Sequence, residues 1–410
     1  MIAVDAERLR SDFDELASIG ATADGGVRRT TFSDAHLAAR AWFCERAAGA
    51  GLETRIDAAG NHSAVLPAGS PGARTLLLGS HLDTVPTGGR YDGALGVLAA
   101  LEVLRAVKDA GLGLPVSLEA ADFTDEEGAL VGLLGSWAVA GALTPEILRA
   151  PRGGRAALAG GLARAGLSEE RLQDARRDPK TLAGYLELHI EQGPVLEREG
   201  IDIGIVTAIA GSRSFRLAFA GERRHAGTTP MSARRDAALG AARFVLAVER
   251  IVVRDFPGCV ATVGDIAIEP GAFNVVPGRA ALALEFRSPD LPRLDALEAA
   301  LLAAARHEAD TTGLALEAEA VGRWEPTQLD GSVQSAIADA AQALGLSAVA
   351  IVSGAGHDAQ ALAAVTPSGM IFVPSVGGVS HDPQERTEWQ DCVNGANVLL
   401  AAALRLAEAL

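Results

Sequence analysis

The chain has 410 residues, 49% of them hydrophobic and 21% charged, with a formal net charge of −16. That length exceeds what one core usually serves, so two domains are expected, and the acidic balance argues against nucleic acid or an anionic membrane as a partner. No apolar run reaches membrane length, the opening MIAVDAERLRSDFDELASIG is too acidic and interrupted for a secretory signal, and Cys44, Cys259 and Cys392 match no metal or disulfide spacing, so reduced thiols in a cytoplasmic protein are expected.

Residues 34–51 space their apolar positions as a helix, with Ser33 or Asp34 as N-cap. TLLLGSH (75–81) reads as a buried strand, and residues 93–110 as the helix after it. PVSLEAADF (115–123) is a second strand ending at TDEEG, and GYLELHI (184–190) a third ending at EQGP. Strand–loop–helix alternation predicts a parallel or mixed sheet covered by helices, with ligands at the carboxyl ends of the strands. His81, the run Asp122 to Glu127, and His189 all fall at such ends.

Near residue 210 the pattern changes. SFRLAFAGE (214–222) alternates as an antiparallel strand, followed by a helix over about 233–253. The strands CVATVGDIAIEP, AFNVVPG and RAALALEFRSP follow, then a helix over about 292–309 and a strand near 313–320. This order predicts an open-faced α+β sandwich. The first pattern resumes at DGSVQSAIADAAQALGL (330–346), and Thr387-x-x-Gln390 reads as a capping box for a last helix. The expected organisation is an α/β catalytic domain at 1–210 and 326–410, interrupted by an inserted domain at 211–325. There is no internal repeat or disordered linker.

Five histidines, His81, His189, His225, His357 and His381, lie in segments rich in Gly, Asp, Ser or Pro, where chemistry is commonly mounted. In GSHLDTVPTGGRYDGALGV, imidazole and carboxylate suit borderline divalent cations. Asp83, two residues after His81, points to the same side and is placed to accept its other ring N–H. A turn with Asp92 as N-cap explains the same residues. In DFTDEEG, one of Glu126 and Glu127 is suited to a cation and the other to general-base work. The alternative is a solvated acidic loop, with Asp122 and Asp125 supporting it. Glu187 and Glu191 share a strand face with His189 in ELHIEQGP, where a hydrogen-bonded structural histidine is the competing reading.

GGVSHDPQE offers His381 on a strand-end loop, or a turn histidine. SGAGHDAQ offers His357, read as supporting the site from behind rather than as a ligand. Together the set provides three histidines and two carboxylates with a spare glutamate, enough for two cations roughly 3.5–4 Å apart. In the inserted segment, Arg287 stands amid apolar residues and requires a carboxylate, from protein or ligand. Arg234 and Arg235 are read as structural, paired with Asp236.

These motifs, with LELHIEQGPVLE, HAGTTPM, FNVVPG and PSGMIFVPS, cover nearly the whole chain. It resembles the dinuclear metallopeptidase family of aminoacylases and carboxypeptidases. Within that family it is similar to the N-carbamoyl-L-amino-acid hydrolase branch, with allantoate amidohydrolase and β-ureidopropionase. The resemblance implies a zinc-peptidase-like mixed sheet flanked by helices, with an inserted lid that forms a homodimer. It implies two divalent ions per subunit (Zn, Mn, Co or Ni) on His81, Asp92, Glu127, His189 and His381, Asp92 bridging, with Asp83 and His357 behind them. Glu126 is implied as general base and His225 as a lid histidine that reaches a neighbouring subunit's site. Gln192, Asn274 and Arg287 are implied as contacts to a small ureido acid, Arg287 on its carboxylate. Arg224 beside His225 and Tyr91 depart from the family pattern, and residues 150–182 are less family-like.

Overall fold

The computed structural model describes residues 2–409. The chain divides into two compact units, Met1–Thr207 with Leu329–Leu410, and Ala208–Gln328. In chain order the strands are β1 (Glu53–Ile56), β2 (His62–Leu66), β3 (Thr75–His81), β4 (Ser117–Phe123), β5 (Leu182–Ile190) and β6 (Ile203–Ile209). Then come β7 (Gly211–Ala220), β8 (Arg224–His225), β9 (Val260–Glu269), β10 (Val275–Val276), β11 (Arg279–Ser288), β12 (Ala315–Trp324), β13 (Thr327–Gln328), β14 (Ala348–Ser353) and β15 (Ser368–Val373).

In the first unit the sheet order is β1-β2-β4-β3-β5-β15-β6, with β14 also on β6. The centre is parallel, from β4 through β3 and β5 to β15, and the outer pairs β1/β2, β2/β4 and β15/β6 are antiparallel. Central strands enclosed on both faces read as continuous apolar runs rather than alternating ones; every residue of β5 is buried. Helices Ala94–Asp109 and Trp389–Glu408 share one core with Leu76, Leu78, Leu186 and Leu188 of the sheet. A second cluster gathers Phe32, Leu130 and Leu134 with Leu158, Leu162 and Leu172. It gives the segment 150–182 a packing role that its sequence did not declare.

The parallel order fixes where the site forms. β3, β4 and β5 end side by side, so His81, the residues after Phe123, and His189 emerge at one edge. The glycine after Asp92 starts the helix Ala94–Asp109 in a left-handed conformation (φ 64) without a side-chain cap. Asp92 is therefore not the N-cap, and its carboxylate is turned elsewhere.

The second unit is an antiparallel sheet, β12-β7-β11-β9, with helices Ala237–Asp255 and Leu291–Thr312. Phe215, Phe219, Leu282 and Phe286 of the sheet share its core with Phe244, Leu297 and Leu301 of the helices. Asp236 caps the first of these helices by accepting from Ala238 N–H. The expected pairing of Asp236 with Arg234 and Arg235 gives way to that cap: Arg235 pairs with Glu222, and Arg234 donates to the carbonyls of Ala226 and Thr229.

The capping box is also absent. The last helix begins at Trp389 with Glu388 as N-cap, so Thr387 and Gln390 are out of register for reciprocal bonds. All three cysteines are free, and among the described residues no helix is long and apolar enough to cross a membrane.

Candidate metal centre

Asp92 sits at the middle of the site. Its Oδ1 lies 3.1 Å from His189 Nε2 and 3.4 Å from His81 Nε2, while its Oδ2 lies 3.4 Å from His381 Nε2. Glu127 Oε2 is 3.5 Å from the same His381 nitrogen. Two donor groups result, His81–Asp92–His189 and Asp92–Glu127–His381, each with its ligand atoms within 4.8 Å of one another and each able to hold a metal ion. Glu126 belongs to neither group; its Oε2 lies 3.5 Å from His81 Nε2.

The imidazoles are oriented as metal ligands require. His81 Nδ1 is 3.0 Å from the carbonyl of Asp83, and His189 Nδ1 is 2.9 Å from the carbonyl of Ile190. A carbonyl only accepts, so each Nδ1 carries a proton and each Nε2 is aimed at the centre. This corrects the expected contact of the His81 ring, which bonds the Asp83 backbone and not its carboxylate. The Asp83 carboxylate instead accepts from Thr31 Oγ1 at 3.0 Å and from the amides of Glu126 and Glu127 at 3.3 Å each. Gly93 completes the cradle, because a Cβ there would collide with the His81 ring.

Around this centre the support is buried and polar. Arg40 pairs with Asp122 at 2.7 Å, and Asp122 accepts from the Leu82 amide beside His81. Asp125, at positive φ, accepts from the amides of Leu130, Val131 and Gly132 and so folds the loop behind Glu126 and Glu127. Glu187 accepts from Ser80 Oγ and Ala359 N–H. Glu191 accepts from the amides of Val195 and Leu196, capping the short helix there rather than facing the centre. His357 bonds Ser353 Oγ at 2.8 Å and packs edge-on against His189, ring centroids 4.6 Å apart. Gln192, at positive φ, donates Nε2 to Asp92 Oδ2 at 2.8 Å, and its Oε1 is buried without a partner.

The fields are strongly mutual. Burial opposes ionisation of Asp92, but the three histidines outweigh it and hold the carboxyl well below its ordinary range. Burial, reinforced by Glu127, Asp358 and Asp92 against the pull of His81, lifts Glu126 well above the usual carboxylate. Burial and the charge of Asp92 raise Glu127 to about 7.

Sequence reasoning passed over Glu385, which is 4% exposed and lies behind Asp92. Its Oε1 accepts from the amides of Tyr91 and Asp92 at 2.9 and 3.0 Å. The only signal was an acid four residues after His381, which a surface turn explains equally well.

His225, Asn274 and Arg287 belong to the second unit. His225 is exposed on the β8/β10 ribbon, and the Asn274 carbonyl accepts from Ala226 N–H at 2.9 Å, so the two are neighbours. Gly227 N–H donates to His225 Nδ1 at 3.1 Å, which leaves the imidazole proton on Nε2. Arg287 donates Nε and Nη2 to Glu285 Oε1 at 2.9 and 2.7 Å, the protein carboxylate that its strand position called for. Arg224 is tied to Glu222 at 2.7 Å, and as the strand neighbour of His225 it faces the opposite side.

The model of peptidase family M20/M25/M40 matches residues 77–405. The chain belongs to that family. The family is metal-dependent, in keeping with the two donor groups. An N-carbamoyl-L-amino acid amidohydrolase of Geobacillus stearothermophilus is 39% identical, with 99% of each chain covered. An allantoate amidohydrolase of Bacillus subtilis is 34% identical over 96% of this chain and 95% of its own length. The solved structure of an amidase of the hydantoinase/carbamoylase family from Burkholderia multivorans superimposes with a TM-score of 0.92 at 38% identity, covering 99% of this chain and 98% of that one.

Proposed function

We propose that this M20 chain is an amidohydrolase of small ureido acids, cleaving the carbamoyl group of an N-carbamoyl-L-amino acid or a close relative such as allantoate or β-ureidopropionate. The observation that carries the two-cation reading is Asp92, one oxygen toward His81 and His189 and the other toward His381. The donor chemistry, imidazole nitrogen and carboxylate oxygen, fits Zn, Mn, Co or Ni.

Bound divalent cations supply Lewis acidity at the water and at the scissile carbonyl. Glu126, in neither donor group but beside the centre, accepts the proton of the attacking water and delivers it to the departing nitrogen. The buried, unpartnered Gln192 Oε1 accepts from the ureido NH₂, a donor that an N-acetyl group lacks. His225, with its proton on Nε2, donates to the developing oxyanion from the lid of a neighbouring subunit, and Asn274 and Arg287 hold the substrate's carboxylate end. Hydrolysis of R–NH–CO–NH₂ yields the amine and carbamate, which decays to CO₂ and ammonia.

The lid also forms the homodimer. Leu239, Leu246 and Val253 are exposed at seven-residue spacing on one helix, an apolar stripe that a second copy would cover.

Ammonia release from N-carbamoyl-L-amino acids, β-ureidopropionate and allantoate, against acetate release from N-acetyl amino acids, tests the reading. Preference for the acetyl series would contradict it. Glu126→Gln is expected to lower kcat by at least ~100-fold with metal content unchanged; turnover near wild type would remove Glu126 from the mechanism.

A further inference from the structure

We propose that Glu385 is a positioning residue that clasps the Asp92 loop to the His381 loop and thereby sets the spacing of the two cation groups. The inference rests on the two-cation reading above. Three observations carry it. Glu385 Oε1 receives two consecutive backbone amides, Tyr91 and Asp92, at 2.9 and 3.0 Å. Its Oε2 accepts from Ser380 Oγ at 3.0 Å, and that hydroxyl is 3.1 Å from Asp92 Oδ2. The chain leaves room for it: Gly89 packs against the Glu385 side chain so closely that a Cβ at 89 would overlap it.

A carboxylate that accepts adjacent amides fixes the direction of that peptide segment, and so the orientation of the Asp92 side chain. The same carboxylate fixes Ser380, the residue before His381. His381 itself has positive φ (57), a conformation that a histidine rarely holds without restraint. One side chain therefore orients the shared ligand and restrains the loop that carries a ligand of the second group alone. Groups behind metal ligands commonly hold about 10–100-fold in affinity.

The group most dependent on the clasp is Asp92–Glu127–His381, because His81 and His189 are held by the ends of β3 and β5. A glutamine at 385 keeps an acceptor for the two amides, and its NH₂ donates to Ser380 Oγ, freeing the hydroxyl proton for Asp92. The clasp thus survives Glu385→Gln and is lost in Glu385→Ala.

The test is calorimetric titration of chelator-stripped full-length protein with Mn²⁺, without substrate. Wild type is expected to take two equivalents; fewer than two would overturn the two-cation reading, and the clasp with it. If wild type takes two, Glu385→Ala is expected to weaken the second equivalent by about 10–100-fold while the first stays within about threefold. Glu385→Gln is expected to stay within about threefold at both. Wild-type affinities in Glu385→Ala would overturn the clasp, as would equal losses in the alanine and glutamine variants, which would assign the effect to charge. Should Glu385→Ala fail to fold by circular dichroism, Ser380→Ala replaces it: a weakened second equivalent supports the clasp and an unchanged one overturns it.

Discussion

Gly93 shows how much of the centre depends on single atoms. Its φ of 64 is uncommon for side-chain-bearing residues, and the space a Cβ would need is occupied by the His81 imidazole. Gly93→Ala is therefore expected to displace His81 and lower metal content to one equivalent or less while the fold persists; two equivalents by mass spectrometry would contradict this. His62 makes a separate prediction about pH. Burial, aided by Arg40, lowers its pKa to about 4 from 6.5. Between those values the unfolded chain binds a proton that the folded chain refuses. This contribution is present above about pH 6.5 and is lost as pH falls toward 4. His62→Asn is expected to flatten that acid limb in a series of Tm measurements, and an unchanged slope would refute the assignment. At this scale the residues that gather into the two donor groups were legible because imidazoles and carboxylates on glycine-rich strand ends have few bland explanations when several coincide. Glu385 and Ser380 were not, since their composition is that of an ordinary turn and only the fold brings them to Asp92.

Elements set the directions in which these side chains point. β3 and β4 run parallel, and their ends are braced by the buried Arg40–Asp122 pair, with Asp122 also accepting from the Leu82 amide. Removing one partner of such a pair leaves a buried charge uncompensated, so Arg40→Ala is expected to cost on the order of 3–5 kcal/mol in urea unfolding. A loss below about 1 kcal/mol would show the pair to be dispensable. The strands ending at His81, Phe123 and Ile190 could be read from apolar runs that stop at Gly, Asp and Glu. Helix starts were less legible: Thr387 and Gln390 fit a capping box by spacing, yet the helix begins at Trp389 and takes Glu388 as its cap. Within residues 150–182 the helix Arg155–Arg164 buries Leu158, Gly161 and Leu162, a helical spacing too short to stand out by itself, in the cluster of Phe32 and Leu130.

For the molecule as a whole, the change from a parallel apolar pattern to an alternating one near residue 210 marked the second unit, whose antiparallel sheet carries helices on a single core. On the proposed dimer, in which a second copy covers Leu239, Leu246 and Val253, Leu246→Glu is expected to give a monomer in sedimentation velocity and to depress turnover with it, because the proposed reach of His225 into a neighbouring site would be lost. A monodisperse dimer would show that the stripe lies outside the interface.

The most direct measurement is ammonia release from an N-carbamoyl-L-amino acid by chelator-stripped protein, followed as Mn²⁺ is added back in known equivalents. The account predicts negligible release without metal, rising to a plateau near two equivalents per chain. Undiminished release from stripped protein, or none at any level of metal, would contradict it.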